Sequence, residues 1–185
     1  MCLSKLGPWD PVVSTTGFAS REVFELREEL GHGHERDFLT VGSMGHASAI
    51  ALGIAKAKPS KCVYCFDGDG AMLMHMGNMA MVGMSGLANF KHVINNNFAH
   101  DSVGAQPTGT AAIGVPAVAR ALGYTWAASA ETEEEAGDRF AELQAHKDGP
   151  GMLEIRVRPG ARSNLGRPTS SPVENKKQFM SFLRN

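Results

Sequence analysis

The chain has 185 residues, of which 43% are hydrophobic and 20% charged, and its formal net charge is −1. This length and composition are typical of one globular domain, and we expect a single domain over residues 1–185. The near-zero charge excludes the broad positive field that gathers nucleic acid or acidic lipid. Any anionic ligand must then be held by local groups, such as backbone N–H groups, a helix N-terminus or a metal ion.

The cysteines and the apolar runs indicate the cellular compartment. Cys2, Cys62 and Cys65 are too few for a disulfide framework, and their number is odd. The first residues include Lys5 and Asp10 and lack the apolar run of a signal peptide. No stretch of about 18 apolar residues occurs, so we expect no membrane span. These features predict a cytoplasmic protein that contacts no membrane.

Six short apolar or β-rich runs are predicted strands, at 11–14, 37–41, 62–66, 92–95, 124–128 and 152–157. Helical patterns lie between them, from Ser20 to about Leu30, over 45–57 and from about Met72. Two capping boxes, Thr132 with Glu135 and Ser171 with Glu174, predict the starts of two further helices. This alternation predicts an α/β fold: an open, mainly parallel six-stranded sheet with helices on both faces.

Polar turns follow the first four predicted strands. They read STTG at 14–17, GSMG at 42–45, GDG at 68–70 and NNN at 95–97. In a parallel sheet ligands sit at the carboxyl ends of the strands, where such turns converge. The four turns therefore predict one polar pocket at this edge, although the strand order is not readable from the sequence.

Asp69 and Asn97 are the candidate metal ligands. Asp-Gly pairs are ordinary turn formers, so Gly68-Asp69-Gly70 alone is weak evidence. Asn97 follows Asp69 after one helix and one strand, which is about the length of a crossover unit and would bring the two strand ends together. A carboxylate and an amide oxygen suit Mg²⁺. The chain contains neither a phosphate-binding lysine loop nor a dinucleotide-binding glycine pattern after a strand.

The GDG at 68–70 followed by Asn96-Asn97 resembles the signature of thiamin diphosphate (ThDP) enzymes. The resemblance implies ThDP and Mg²⁺ as cofactors, with Asp69, Asn97 and the carbonyl of Ala99 on the metal. It further implies cofactor contacts from three turns. Their residues are Thr16 and Gly17; Gly42, Ser43 and Met44; and Gly68, Asp69, Gly70 and Ala71. The resemblance also implies that Met44 holds the cofactor in its bent form, and that the carbonyl of Gly42 accepts a hydrogen bond from the aminopyrimidine.

Longer segments resemble phosphonopyruvate decarboxylases in particular. They read GDGAMLMHMG at 68–77 and NFKHVINNNFAHDSVGAQPT at 89–108, with further similarity at 14–17, 31–34 and 165–176. Phe98 departs from the pattern, because that family has glycine there. The resemblance implies decarboxylation of a 2-oxo acid, with phosphonopyruvate giving phosphonoacetaldehyde and CO₂. His46 and His100 lie in turns from which they could contact substrate or move protons.

The same resemblance implies a missing part. ThDP enzymes use a glutamate from a related pyrimidine-binding domain, and 185 residues cannot hold both domains. We expect a pyrimidine-binding α subunit or domain as partner, in a dimer or larger oligomer. Two alternatives stay open: the β subunit of a sulfopyruvate or other 2-oxo acid decarboxylase, and a ThDP-binding or regulatory subunit without activity.

Three other features have more ordinary interpretations. Cys62 and Cys65 are three apart in a strand and so face opposite sides, which favours an apolar role over a shared metal. The methionines from Met72 to Met84 predict a helix buried all round, or a subunit interface. Arg162 and Arg167 are either a clamp for a phosphonate or sulfonate group or solvated surface residues.

Overall fold

The computed structural model describes residues 1–184. Its strands are β1 (Val12–Ser14), β2 (Asp37–Leu39), β3 (Val63–Gly68), β4 (Phe90–Asn96), β5 (Ala99–His100), β6 (Gln106–Pro107), β7 (Trp126–Ala130) and β8 (Gly151–Arg156). Its α-helices are α1 (Phe18–Glu29), α2 (Ala47–Ala57), α3 (Asp69–Met74), α4 (Gly77–Ser85), α5 (Val115–Ala121), α6 (Glu133–Ala145) and α7 (Pro172–Arg184). Short 3₁₀ turns occur at Leu3–Lys5, Asp101–Val103 and Gly109–Ala112.

Six strands form one sheet in the order β2-β1-β3-β4-β8-β7, and every neighbouring pair is parallel. The predicted parallel sheet is therefore confirmed. From β1 the chain moves outward to β2 and then returns to β3 on the other side of β1. This reversal opens a crevice between the carboxyl ends of β1 and β3, where open α/β sheets bind ligands.

Helices cover both faces of the sheet because side chains alternate along each strand. One apolar cluster contains Val63 and Cys65 of β3 with buried residues of α2, α4 and α5. The other contains Tyr64 and Phe66 of the same strand with buried residues of α1 and α6. Cys62 packs against this second cluster, so the two cysteines face opposite sides as predicted.

Several predicted boundaries were wrong. The helix predicted from Ser20 begins at Phe18, and the Ser20 hydroxyl donates to the carbonyl of Thr15 at 2.6 Å. The methionine-rich helix begins at Asp69, not Met72, and is broken after Met74 because His75 has non-helical dihedrals (φ −131°, ψ 46°). The helix α5 and the antiparallel pair β5–β6 were not predicted from the sequence.

The expectation of a methionine helix buried all round was also wrong. Met72 and Met79 are buried, whereas four other methionines are 39–77% exposed. These four, which we term the methionine surface, are Met74, Met76, Met81 and Met84. In α4 only Met79 and Val82 are buried, so this helix packs on one side and leaves Met81 and Met84 exposed.

Both predicted capping boxes are confirmed. In the first, the Thr132 hydroxyl accepts from the N–H of Glu135, and the Glu135 side chain accepts from the N–H of Thr132. In the second, the Ser171 hydroxyl accepts from the N–H of Glu174, and the Glu174 side chain accepts from the N–H of Ser171.

Within residues 1–184, no helix is long and apolar enough to cross a membrane.

Candidate functional site

A cavity of about 960 Å³ lies at the carboxyl edge of the sheet. Ten of the thirteen predicted catalytic, cofactor-binding and metal-binding residues line it: Thr16, Gly17, Met44, Gly68, Asp69, Gly70, Ala71, Asn97, Ala99 and His100. Gly42, Ser43 and His46 are not among the lining residues, although the N–H of Gly42 donates to the Thr16 hydroxyl at 3.1 Å. The fold thus brings turns from β1, β2, β3 and β4 around one space.

Asp69 is a buried carboxylate without a positively charged partner. It is the first residue of α3 and is 2% exposed. The hydroxyls of Thr108 and Thr110 both donate to its Oδ2 atom, the latter at 2.8 Å. None of the ion pairs formed within residues 1–184 includes Asp69. Burying a carboxylate is costly unless a cation neutralises it, so this position favours a bound metal ion.

The three asparagines at the end of β4 have different roles. Asn96 is fully buried and structural: its amide donates to Glu154 at 2.6 Å and its oxygen accepts from the N–H of Phe98 at 3.0 Å. Asn97 lines the cavity; its amide donates to Asp101 at 2.6 Å and its oxygen accepts from the N–H of Ala99 at 3.1 Å. The amide oxygen of Asn97 keeps a second lone pair for a further ligand.

The β5–β6 pair holds the loop after Asn97 against α3. The N–H of Thr108 donates to the carbonyl of Phe98 at 2.9 Å, which closes this loop beside Asp69. A side chain on Gly70 would overlap the His100 ring, so glycine is required there for the ring to approach the α3 backbone. His100 therefore lies beside the turn that carries Asp69.

Met44 and His46 have different surroundings. Met44 is half-buried and lines the cavity. His46 is exposed, precedes the first residue of α2 and packs against the His75 ring with centroids 4.2 Å apart. The proposed catalytic role of His46 stays a prediction, as do the roles of the other site residues.

Three arginines follow β8 and line the cavity: Arg158, Arg162 and Arg167. Arg162 pairs with three glutamates of α1, Glu22, Glu25 and Glu29, at 3.0–3.3 Å. The hydrogen bond to Glu29, with the neighbouring carboxylates, raises the pKa of Arg162 above its ordinary value. Arg162 is thus engaged with α1, while Arg158 and Arg167 form none of the ion pairs within residues 1–184.

The sequence reasoning missed Thr108 and Thr110. Both lie about 40 residues after Asp69 in a loop without an apolar pattern, and their hydroxyls reach the carboxylate only once β5 and β6 pair. A threonine–glycine–threonine run is an ordinary surface-loop composition, so no local signal distinguishes it. Asp101, which orients Asn97, was missed for the same reason.

The sequence profile described as "Thiamine pyrophosphate enzyme, C-terminal TPP binding domain" matches residues 22–155. The chain is 38% identical over 172 residues to phosphonopyruvate decarboxylase of Streptomyces viridochromogenes, covering 93% of this chain and 42% of that protein. It is 30% identical over 173 residues to sulfopyruvate decarboxylase subunit beta of Methanococcus maripaludis, covering 94% of this chain and 89% of that subunit. The chain thus spans less than half the length of the phosphonopyruvate decarboxylase.

Solved structures show the same fold. One is a putative thiamin diphosphate-dependent enzyme from Mycobacterium smegmatis, with a TM-score of 0.69 and 20% identity over 86% of this chain and 31% of the other. Another is the 2-oxoglutarate:ferredoxin oxidoreductase from Magnetococcus marinus, with a TM-score of 0.64 and 20% identity over 85% of this chain and 58% of the other. At these identities the likeness concerns the fold alone.

Proposed function

The chain belongs to the family of thiamine pyrophosphate enzyme C-terminal, TPP binding domains, and from this membership we propose that it is the diphosphate- and Mg²⁺-binding half of a ThDP-dependent 2-oxo acid decarboxylase. The proposed substrate is phosphonopyruvate, converted to phosphonoacetaldehyde and CO₂. The relatives at 38% identity over most of the chain support this choice. The single observation that carries the proposal is the buried carboxylate of Asp69 at the edge of the cavity.

The donor set around the cavity fits Mg²⁺. The Asp69 carboxylate, the Asn97 amide oxygen and the Ala99 carbonyl are hard oxygen ligands on residues that line the same space. Phosphate oxygens and water would complete an octahedron, since Mg²⁺ is seldom enclosed by protein ligands alone. Thr108 and Thr110 would orient the carboxylate through its Oδ2 atom.

The same cavity fits ThDP. The turns at Thr16-Gly17 and at Asp69 to Ala71 would offer backbone N–H groups to the diphosphate, and Met44 would offer an apolar contact to the cofactor. When bound, ThDP supplies the electron sink for loss of CO₂, while the protein binds and orients the reactants. These residues are expected to hold the cofactor and the substrate in one reactive geometry.

Two arginines are available for the substrate's anionic tail. Arg158 and Arg167 line the cavity outside the ion pairs of Arg162. A guanidinium matches the paired oxygens of a phosphonate. His100, which lies beside the turn of Asp69, is the proposed residue for a proton at the substrate. His46 is a weaker candidate for this step because it does not line the cavity.

The proposal requires a pyrimidine-binding partner that brings the activating glutamate. The phosphonopyruvate decarboxylase has more than twice the length that this chain matches, and the Methanococcus relative is named as a subunit. We propose that the partner is an α subunit or domain and that the assembly is a dimer or larger.

The three cysteines are free thiols in the structure, which supports the proposed location in the reducing cytoplasm.

Sulfopyruvate is the second candidate substrate. One observation favours it: the chain is 30% identical over 94% of its length to the Methanococcus sulfopyruvate decarboxylase β subunit. Assay of the assembled complex on both acids separates the candidates through kcat/KM. Preference for sulfopyruvate would overturn the phosphonopyruvate assignment. If a complex that binds ThDP converts neither acid, the chain is a ThDP-binding or regulatory subunit without activity.

The metal and cofactor assignments are tested by titrating ThDP into the protein with and without Mg²⁺. We expect binding to require Mg²⁺ and to weaken at least about tenfold in Asp69→Asn, because the diphosphate would lose its neutralising metal. Asparagine retains the acceptor for Thr108 and Thr110, so this variant should fold. Asp138→Asn, on the exposed side of α6, is the matched control. Equal affinity in all three proteins would disprove the metal assignment.

A further inference from the structure

A second group of metal-ligating side chains lies inside the protein, away from the cavity. Cys65 and Asp67 are on β3, His92 is on β4 directly beside Cys65, and all three are 0% exposed. One ligand atom from each, a sulfur, a carboxylate oxygen and a ring nitrogen, lies within 4.8 Å of the other two. None of the three residues lines the cavity.

Two polar atoms of this group have no hydrogen-bond partner. They are Oδ2 of Asp67 and Nε2 of His92, which lie 3.6 Å apart. Buried polar atoms are nearly always paired, and leaving them unpaired costs free energy. The two atoms are too far apart for a hydrogen bond, and the thiol of Cys65 is a weak partner for either.

The remaining polar atoms of Asp67 and His92 are held by neighbours. Nδ1 of His92 lies 3.0 Å from the hydroxyl of Tyr124, and Oδ1 of Asp67 accepts from the N–H of Gly68 at 3.0 Å. Such outer contacts are typical of metal ligands, because they set the ring tautomer and fix the carboxylate. If Nδ1 donates its proton to Tyr124, the lone pair of Nε2 is directed to the space shared with Asp67 and Cys65.

We propose that Cys65, Asp67 and His92 form a buried site for a zinc ion, separate from the magnesium site at Asp69. Zinc takes sulfur, nitrogen and oxygen ligands at about 2.0–2.3 Å, which places tetrahedral ligand atoms about 3.3–3.8 Å apart. The Nε2 to Oδ2 distance of 3.6 Å already falls in that range. Mg²⁺ is excluded here because it binds neither thiolate nor imidazole well.

The chemistry of binding follows from the ligands. Burial raises the pKa of the Cys65 thiol well above its ordinary value, so the sulfur is protonated until a metal arrives. Zinc would displace that proton to the solvent and bind the thiolate, and one water or hydroxide would fill the fourth position. The bound ion would satisfy Oδ2 and Nε2 together and cross-link β3 to β4 just before the turn that carries Asp69.

The first test measures metal in the purified protein. Cells are grown with added zinc, the protein is exchanged into Mg²⁺ buffer with a chelator, and zinc is measured after denaturation. We expect about one zinc per chain in the wild type and at least about a tenfold loss in Cys65→Ser and His92→Gln. Cys62→Ser, three residues earlier in the chain and on the opposite face, is the matched control and should retain zinc.

A second measurement does not depend on whether the Cys65 and His92 variants fold. Protein produced with Co²⁺ in place of zinc should show the near-ultraviolet charge-transfer band of a thiolate–cobalt bond. The band should persist in Asp69→Asn, which disables only the proposed magnesium site. Absence of zinc and of this band in folded wild-type protein would overturn the proposal and leave a metal-free Asp67–His92 pair. Retention of zinc by Cys65→Ser would also overturn it.

Discussion

At the scale of single residues, Phe98 occupies a backbone conformation that suits glycine. Its φ is 58°, in the left-handed region, and its ring packs near the guanidinium of Arg156 at 5.9 Å. The sequence resemblance also implies glycine at this position. A left-handed conformation costs an L-residue about 1–2 kcal/mol, so the loop between Asn97 and Ala99 is strained next to the proposed metal site.

Comparing Phe98→Gly with Phe98→Ala measures that strain, because both variants lose the ring and only alanine keeps the penalty. We expect the glycine variant to be more stable by about 0.5–1 kcal/mol in urea unfolding, after the entropy that glycine gains in the unfolded chain is subtracted. The same pair at Met84, exposed in α4, should give the opposite order by about 1 kcal/mol. A more stable alanine at position 98 would contradict the strain.

Lys91 is a buried base whose charge is costly. It is 0% exposed, its ammonium donates to the carbonyl of His146, and burial lowers its pKa to about 8. The unfolded chain has the ordinary lysine pKa of about 10.4 and so binds more protons than the folded protein between those two values. Stability from this residue therefore rises with pH across that window.

Lys91→Met removes this titration. We expect the free energy of unfolding of the methionine variant, minus that of the wild type, to fall by about 2 kcal/mol between pH 7 and pH 9.5. This follows from about 1.4 kcal/mol per pKa unit. Urea unfolding of both proteins at both pH values measures the change, and the difference cancels the titration of groups distant from Lys91. A constant difference would show that the lysine pKa is not lowered.

At the scale of elements, the close approach of α4 to the end of α5 depends on one glycine. A side chain on Gly83 would overlap the backbone of Leu122 and Gly123, whereas one on Gly53 in α2 would meet nothing. Both glycines lie within helices. The sequence does not distinguish them, since each interrupts a similar run of helix-forming residues.

Alanine at these two positions should therefore have opposite effects. Gly83→Ala should destabilise the protein by about 2 kcal/mol, because rigid backbone has to move. Gly53→Ala should stabilise it by up to about 1 kcal/mol through helix propensity. Thermal or urea unfolding gives both values. Equal effects would mean that α4 and α5 adjust freely to each other.

At the scale of the whole molecule, the methionine surface is the feature that a partner best explains. The exposed methionines at 74, 76, 81 and 84 are flexible apolar side chains in the segment that follows Asp69 in the chain. On the proposed function, a pyrimidine-binding partner has to reach this cavity to bring its glutamate. We expect the same partner to cover the methionine surface, and the matched relatives of more than twice this length have room for such a domain.

Charging this surface should block assembly without affecting the fold. We expect Met81→Glu with Met84→Glu to weaken association with a glutamate-bearing partner chain at least about tenfold, at an unchanged unfolding temperature. The control is Val173→Glu with Met180→Glu on α7, which also replaces two exposed apolar residues. Light scattering and titration of the two chains measure association. Normal association of the Met81/Met84 variant with the partner chain would contradict the partner assignment. So would a variant that loses only the association between two copies of this chain.

The parallel sheet, the two capping boxes and ten of the residues that line the cavity were predictable from the sequence because their signals are local. Strand–helix alternation, turn composition and cap spacing each extend over a few residues. The turn at 68–70 and the asparagines at 95–97 were recognisable for the same reason. These local patterns, with the family resemblance, identified ten residues that line one cavity.

Tertiary structure alone decided the rest, because those features join residues distant in the chain. The strand order, with its reversal between β1 and β3, depends on how helices pack on each face. Thr108 and Thr110 reach Asp69 across about 40 residues, and Cys65, Asp67 and His92 meet only because β3 pairs with β4 in one register. The exposure of the methionines likewise depends on which side of α4 finds a neighbour, and helical periodicity does not encode that choice.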